Sequence, residues 1–380
     1  MNSRYAGIMA MPAAMKQRTV GVIVSTPLQY LNALELVEEL ACRERYLAIQ
    51  EAFYNLLDFA DLPGFASWRR VEVVPAGTQL PEQRAGRYVR CLVDLLTDRQ
   101  AHRRIGLMLE DWPPLELVVI GNPYEVIHQD FAAQSAADEL LICDDGTASA
   151  VFDPAVNSRS RQLRKRMIGI RHDPLAHAWW YTAYPQGRRQ HRLLLNTYSY
   201  LRAQVSRRYD SSRGADDIWF LGQPLVEFGV ISATAYAELI RSIATNVYRG
   251  RRLRYLPHPR EWPTCLGSLA AAAGIELAKR SGPVEIELIR CECPPARVGM
   301  LYSSAFQTCH TIFAGAVPFD VFEPDERQLK PCNGETRIMR DCYAYFRAHV
   351  RDPHRFFHQD AALDWAQAGT EQDDLLGENA

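Results

Sequence analysis

The apolar positions of this chain fall into short continuous runs separated by amphipathic stretches. Residues 19–25 (TVGVIVS) form an unbroken, β-branched run that stops at Thr26-Pro27. A run with no polar alternation predicts a strand buried on both faces. Residues 28–41 place apolar side chains at helical spacing with glutamates between them and predict a helix. Residues 69–75, 115–120 and 137–143 predict three more strands, with a helix over 86–98. The 115–120 run ends in Gly121-Asn122-Pro123 and the 137–143 run ends in Asp144-Asp145-Gly146. Buried strands alternating with helices predict a parallel sheet covered on both faces.

The pattern breaks over residues 159–209, which are basic and aromatic with prolines at 174 and 185. That stretch reads as irregular or helical connecting structure, and residues 211–215 (SSRGA) read as a linker. The alternation then restarts. Residues 217–221 predict a strand ending in Gly222-Gln223-Pro224, 232–247 a helix, and 253–256 a strand ending in Pro257-His258-Pro259. Strands are expected at 284–289 (VEIELI), at 297–302 before Ser303-Ser304, and at 317–322, with a helix over 337–350. The chain thus reads as α/β throughout, with an N-terminal extension (1–18), one domain over 19–210, a second over 216–350, and a C-terminal helix and acidic tail (351–380).

Composition narrows the class. The chain has 380 residues, 47% hydrophobic and 23% charged, which suits folded domains and excludes disorder. With 43 Lys plus Arg against 45 Asp plus Glu, the net charge is −2, which argues against a general nucleic-acid binder. The balance is uneven: residues 151–213 hold 13 basic and 3 acidic side chains. Such a stretch suggests one anionic partner, a membrane surface, an acidic polymer or a phosphorylated substrate, against the simpler alternative of a solvated face. The nine cysteines include no CxxC pair, so a disulfide framework or zinc ribbon is not expected and a cytoplasmic, reduced protein is. No apolar run reaches the ~18 residues needed to span a bilayer. His354-x₃-His358 has metal-like spacing but follows no strand end and reads as surface.

In open parallel sheets ligands bind beyond the carboxyl ends of the strands. The polar strand-end signatures are therefore the candidate chemistry. A cleft carboxylate at Asp144 or Asp145 can act as a general base towards a hydroxyl, although Asp-Gly also makes plain turns. The phosphatase loop DxDGT needs a nucleophilic Asp where Cys143 stands, and that reading fails. His258, held between two prolines, suits a positioned proton donor or phosphate ligand, with Arg260 adding charge. Ser303 and Ser304 at a helix start suit an anion, or a simple N-cap. Gly222 and Gln223, and Thr26 and Asn122 in the first half, complete the set of cleft residues.

Taken together, Asp144-Asp145-Gly146, His258-Pro259 and Ser303-Ser304 stand in the order of the D/E-D/E-G, HP and Ser-Ser motifs of bacterial sialyltransferases. The chain resembles the lipooligosaccharide sialyltransferase and capsular polysialyltransferase type. The opening STPLQYLNALE and the contexts DDGT, PHPRE and YSSA are also similar. The resemblance implies a GT-B fold, two Rossmann-like domains with parallel sheets facing a cleft. It implies an inverting transfer of a nonulosonic acid from its CMP-activated form to a glycan or glycolipid hydroxyl, without a metal or other cofactor. It assigns the base to Asp144, contact with the donor phosphate to His258, and phosphate binding to Ser303 and Ser304. Acceptors in these families are often acidic or presented at the inner membrane, so peripheral contact with anionic lipid is expected. Two alternatives stand beside this reading: a GT-B enzyme using another nucleotide sugar, and a degenerate member that only binds nucleotide or glycan.

Overall fold

The computed structural model describes residues 8–9, 11–54, 62–75, 87–145, 159–170, 174–183, 192–209, 215–278, 282–303, 305–313, 316–330, 334–350 and 354–358. Gly146 and Ser304, the linker residues 211–214 and the tail from 359 lie outside the described residues. The chain divides into two compact units, Met1–Ala203 and Gln204–Ala380.

The first unit runs β1 (Ile8–Met9), β2 (Thr19–Val24), α1 (Pro27–Glu39), β3 (Glu44–Gln50), α2 (Glu51–Tyr54), β4 (Arg70–Val74), α3 (Arg87–Asp111), β5 (Leu117–Ile120), α4 (Val126–Ser135), β6 (Glu139–Cys143), α5 (Arg159–Ile168), β7 (Trp179–Thr182) and β8 (Leu193–Leu195). The last helix, α6 (Ser199–Arg208), carries the division between the units. The eight strands form one sheet in the order β1-β8-β7-β6-β5-β2-β3-β4. Every pairing is parallel. The β-branched run in β2 is buried at every position, as a central parallel strand requires. Ile23 pairs with Ile120 and Ile120 with Ile142, so the loops after β2, β5 and β6 emerge at one edge.

The stretch 159–209 corrects the sequence reading. It is not merely connecting structure: β7 and β8 extend the sheet, and α6 is fastened to α1. The buried Glu35 carboxylate of α1 accepts from Tyr200 N (2.7 Å), Leu201 N (2.9 Å) and the Ser199 hydroxyl (3.1 Å), so one helix caps the other. Trp179, Trp180 and Tyr181 are buried in the sheet. Their clustering and the prolines hid the strand pattern.

The second unit runs β9 (Ala215–Leu221), α7 (Ala233–Ser242), β10 (Leu253–Leu256), α8 (Pro263–Ala273), β11 (Glu276–Leu277), α9 (Val284–Arg290), β12 (Pro295–Met300), α10 (Ala305–Phe313), β13 (Phe319–Glu323), α11 (Gly334–His349) and β14 (Arg355–His358). Its six strands are parallel in the order β11-β10-β9-β12-β13-β14. Residues 284–289, expected as a strand, form α9. A short V-E-I-E-L-I run fits either period. Pro283 before it, Glu285 and Glu287 in its first turn, and a bond from Gly282 N to Glu287 Oε1 (2.9 Å) select the helix. His354, expected at the surface, is buried, and its Nδ1 accepts from Phe319 N at 2.9 Å. It packs at the start of β14, a strand the sequence pattern did not announce.

The β12-β13-β14 edge is held by a buried ion cluster. Asp320 accepts from Arg297 Nε (2.8 Å) and Arg355 Nε (2.9 Å), and Tyr248 Oη donates to it (2.7 Å). Burial pushes the Asp320 carboxyl up, but its hydrogen bonds to Arg355 and Arg297 and their charges outweigh this and hold it below the usual carboxylate range.

Candidate active site

At the carboxyl edge of the first sheet, four loops bring polar side chains together. Thr26 caps α1, its hydroxyl accepting from Gln29 N (3.3 Å), with Pro27 as the first helical residue. Ser25 N donates to Gln29 Oε1 (2.8 Å). Gly121, after β5, must be glycine, because a Cβ there would overlap the Gln29 side chain. Asn122 accepts from Tyr124 N with its Oδ1 (2.8 Å) and so turns the chain into α4. Its Nδ2 donates to Asp145 Oδ2 (2.9 Å) and reaches Glu125 Oε1 (3.2 Å). The Thr26 hydroxyl lies 3.4 Å from Asp145 Oδ1. Thr26, Asn122 and Asp145, singled out at three separate strand ends, thus meet in one cluster.

The adjacent carboxylates go different ways, as alternation along an extended chain requires. Asp144 is buried; its Oδ2 accepts from Ala183 N (2.7 Å) and its backbone oxygen accepts from Asn32 Nδ2 (2.9 Å). It ties the end of β6 to the end of β7 and to α1. Asp145 faces the polar cluster. Burial raises its pKa and the Glu125 charge adds to this, while hydrogen bonds from Gln29, Thr26 and Asn122 oppose the shift.

Glu125 is the residue the sequence reading missed. It precedes α4 and faces the Ser25 hydroxyl (2.9 Å), Gln50 Nε2 (2.5 Å) and His128 Nε2 (3.4 Å). His128 is fully buried, and its Nδ1 accepts from Asn122 N (3.0 Å), which fixes the ring proton on Nε2. Burial lowers the pKa of this imidazole and keeps it neutral. The only sequence signal for the pair was their spacing, three apart at a helix start that follows a strand-end asparagine.

In the second unit, Leu221 pairs with both Leu256 and Met300, so the loops after β9, β10 and β12 also share one edge. His258 is half-buried between its prolines. Its Nδ1 accepts from Arg260 N (3.1 Å), which places the proton of the neutral ring on Nε2. Its own N–H donates to Glu261 Oε2 (2.5 Å). Glu261 is buried and also accepts from Tyr255 Oη (2.5 Å), which lies 2.9 Å from Tyr236 Oη. Tyr236 Oη in turn accepts from Gln223 N (3.2 Å). Burial pushes both tyrosines up, so they serve as neutral hydroxyls. A Cβ at Gly222 would overlap the Glu261 carboxylate and Tyr255, which explains the glycine. One chain of hydrogen bonds therefore joins Gln223 to the His258-Pro259 turn. Arg260 is exposed. The Ser303 hydroxyl accepts from the N–H of Ala305, the first residue of α10 (3.2 Å). A cavity of about 390 Å³ between α7 and α8 shares Tyr236 and Glu261 with this loop.

Of the basic residues 164–166, Arg164 is committed to Asp98 (2.8 Å) and Asp94 (3.4 Å) on α3, and Lys165 is buried. Arg166 is exposed. Among the described residues, no group of three His, Cys, Asp or Glu side chains converges as a metal site would require, and no helix is long and apolar enough to cross a membrane.

No protein-family model matches this chain, and no curated protein matches it by sequence. Solved structures do. A UDP-glucose:anthocyanidin 3-O-glucosyltransferase in complex with UDP superposes with a TM-score of 0.50 at 10% identity, covering 96% of this chain and 93% of that one. The fold is GT-B. A UDP-glucosyltransferase from Polygonum tinctorium (TM-score 0.49, 10% identity, 96% and 90% covered) and E. coli heptosyltransferase WaaC (0.43, 11%, 95% and 100%) are similar as well. At 10% identity the likeness to the anthocyanidin glucosyltransferase speaks for the fold alone, two units each built on a parallel sheet, and leaves donor and acceptor to the residues.

Proposed function

We propose that this protein is an inverting glycosyltransferase that moves a nonulosonic acid from its CMP-activated donor to a glycan or glycolipid hydroxyl. The observation that carries the reading is the cluster in which Thr26 and Asn122 hold Asp145 at the strand ends of the first unit. It lies within the motif whose order matches the sialyltransferase pattern. Motif position gives the base to Asp144. The geometry favours Asp145, because the Asp144 carboxylate accepts the Ala183 amide and is buried. Burial raises the pKa of Asp145, which makes it a stronger proton acceptor than an ordinary carboxylate.

In the proposed step the acceptor hydroxyl passes its proton to Asp145 and its oxygen bonds to the anomeric carbon from the face opposite the phosphate. The bond from that carbon to the phosphate oxygen breaks, and CMP leaves with the electron pair. The departing phosphate monoester is a good leaving group, so the reaction calls for positioning and charge stabilisation more than for a strong acid or a metal. His258 donates from Nε2 to the phosphate, and Ser303 at the start of α10 adds a hydroxyl and the positive end of the helix. Gly222 and Gln223 carry the first donor-side turn. The partners are a CMP-sugar, an acceptor glycan and an anionic membrane surface.

A second reading, a UDP-sugar donor, draws on the UDP complex among the similar structures. A thermal-shift titration with CMP, UMP, UDP, GDP and AMP separates the two. Ligand at ~100 times its Kd stabilises by ~2.7 kcal/mol. The proposal expects a CMP-selective shift that weakens in His258→Ala. A UDP-selective shift would move the assignment to the second reading. Once a donor is in hand, Asp145→Asn should lower transfer by ~10²–10⁴-fold, and transfer abolished by Asp144→Asn alone would return the base to Asp144.

A further inference from the structure

α3 needs one apolar stripe to pack and carries two. Ala101, Ile105 and Met108 are buried in the core of the first unit. On the opposite side Leu92, Leu96 and Leu107 are 58%, 55% and 59% exposed. The three leucines are four and eleven residues apart, one and three helical turns, and so lie along one line of the helix about 22 Å long. Arg99 and Arg103 stand between them on the same line, exposed, and make no ion pair among the described residues. Gln100 flanks the line, and Glu110 closes its far end. Beside the line, a groove of about 500 Å³ opens between α3 and the end of β4 at Val73 and Pro75. The neighbouring α5 shows Leu163 and Met167, one turn apart and exposed.

Leucines more than half exposed on a helix packed through its other face contribute little to the fold. Clustered exposed apolar residues mark an interaction surface. The intervening arginines decide the occupant. A second copy docked antiparallel about a twofold axis at the middle of the line would set Arg99 against Arg103 of the other copy and the reverse, a like-charge contact. An anionic lipid surface supplies counter-charge along the whole line. Its headgroup boundary also takes leucines below guanidinium groups that reach up on their apolar stems.

We propose that the outward face of α3, formed by Leu92, Leu96, Arg99, Arg103 and Leu107, docks this chain on an anionic phospholipid bilayer. The inference rests on the membrane part of the proposed function and is independent of the donor. It moves the contact from the basic stretch 151–213, where Arg164 is paired and Lys165 buried, to α3.

The test is co-sedimentation of the full chain with vesicles of phosphatidylcholine, alone or mixed with phosphatidylglycerol. Two variants probe the face: Leu92→Ser with Leu96→Ser and Leu107→Ser, and Arg99→Gln with Arg103→Gln. Arg166→Gln serves as the off-site comparison, and thermal melts confirm that every variant folds. The expected result is binding to the mixed vesicles only. It should fall about fivefold for each arginine removed, at least as far in the leucine variant, and remain unchanged in Arg166→Gln. Equal binding by wild type and both α3 variants would overturn the assignment of this face. If wild type binds neither vesicle, the membrane part of the reading falls with it, and the CMP thermal shift still decides the enzymatic part. A concentration-dependent dimer in sedimentation velocity, lost in the leucine variant, would make the face a self-association surface and also overturn the proposal.

Discussion

In the proposed reaction the choice of base between Asp144 and Asp145 follows from their neighbours more than from place in the motif. Asp145 and Glu125 are two acids served by one amide, Asn122. Burial is the main cause of the raised Asp145 pKa, and the nearby Glu125 charge adds to it. Glu125→Gln removes the second charge and leaves a side chain of nearly the same size. The Asp145 pKa then drops back towards the ordinary carboxylate value. The acid limb of the pH–rate profile, which follows ionisation of the base, should shift to lower pH. A limb that stays in place while rate falls would show Glu125 to be only a scaffold. The sign for stability follows the same shift. A carboxyl with a raised folded pKa favours the folded state below its unfolded pKa, and this contribution is lost as pH rises through the folded value. Glu125→Gln should therefore reduce the stability lost across that window.

At the scale of elements, cross-strand charges hold the edge of the second sheet. Asp320 sits on β13 between Arg297 of β12 and Arg355 of β14. Removing its charge strands two guanidinium groups, so Asp320→Asn should cost about 3–5 kcal/mol in a denaturant titration. Its depressed pKa gives stability that is present above the unfolded carboxylate value and lost as pH falls through the folded one. The variant should accordingly lose part of the acid dependence of wild-type unfolding. Unfolding curves of equal midpoint for the two proteins would show the cluster to be neutral. The elements also show where a local pattern decides and where it does not. The apolar runs of β2 and β5 allow no other reading, because nothing polar interrupts them. The run at 284–289 fits both periods, and Pro283 with the glutamates of the first turn tips it to a helix. The strands β7 and β8 are too short to announce themselves, and only the pairing of β7 with β6 and of β8 with β7 defines them.

For the whole molecule, the proposed function gives the two units separable tasks. Asp145 belongs to the first and His258 to the second. In the proposed division of labour, Asp145→Asn keeps the nucleotide thermal shift of wild type while losing transfer, and His258→Ala weakens both. Loss of the shift in Asp145→Asn would show that the nucleotide site draws on both units. The sequence by itself determined the α/β class, the duplication of the parallel-sheet pattern, and the strand-end positions of Thr26, Asn122, Asp145, Gly222 and His258. Those follow from local physics: continuous apolar runs must be buried, and glycine, proline and asparagine end them. Tertiary structure alone decided which strand ends meet. Strand order, not chain order, brings the loops after β2, β5 and β6 to one edge, and it recruits Glu125, Gln50 and His128. It also decided which of two adjacent aspartates faces the cluster, since a single residue of register exchanges them. Finally, it decided that one face of α3 is left to water, because which stripe of a doubly apolar helix packs inward depends on the sheet beneath it.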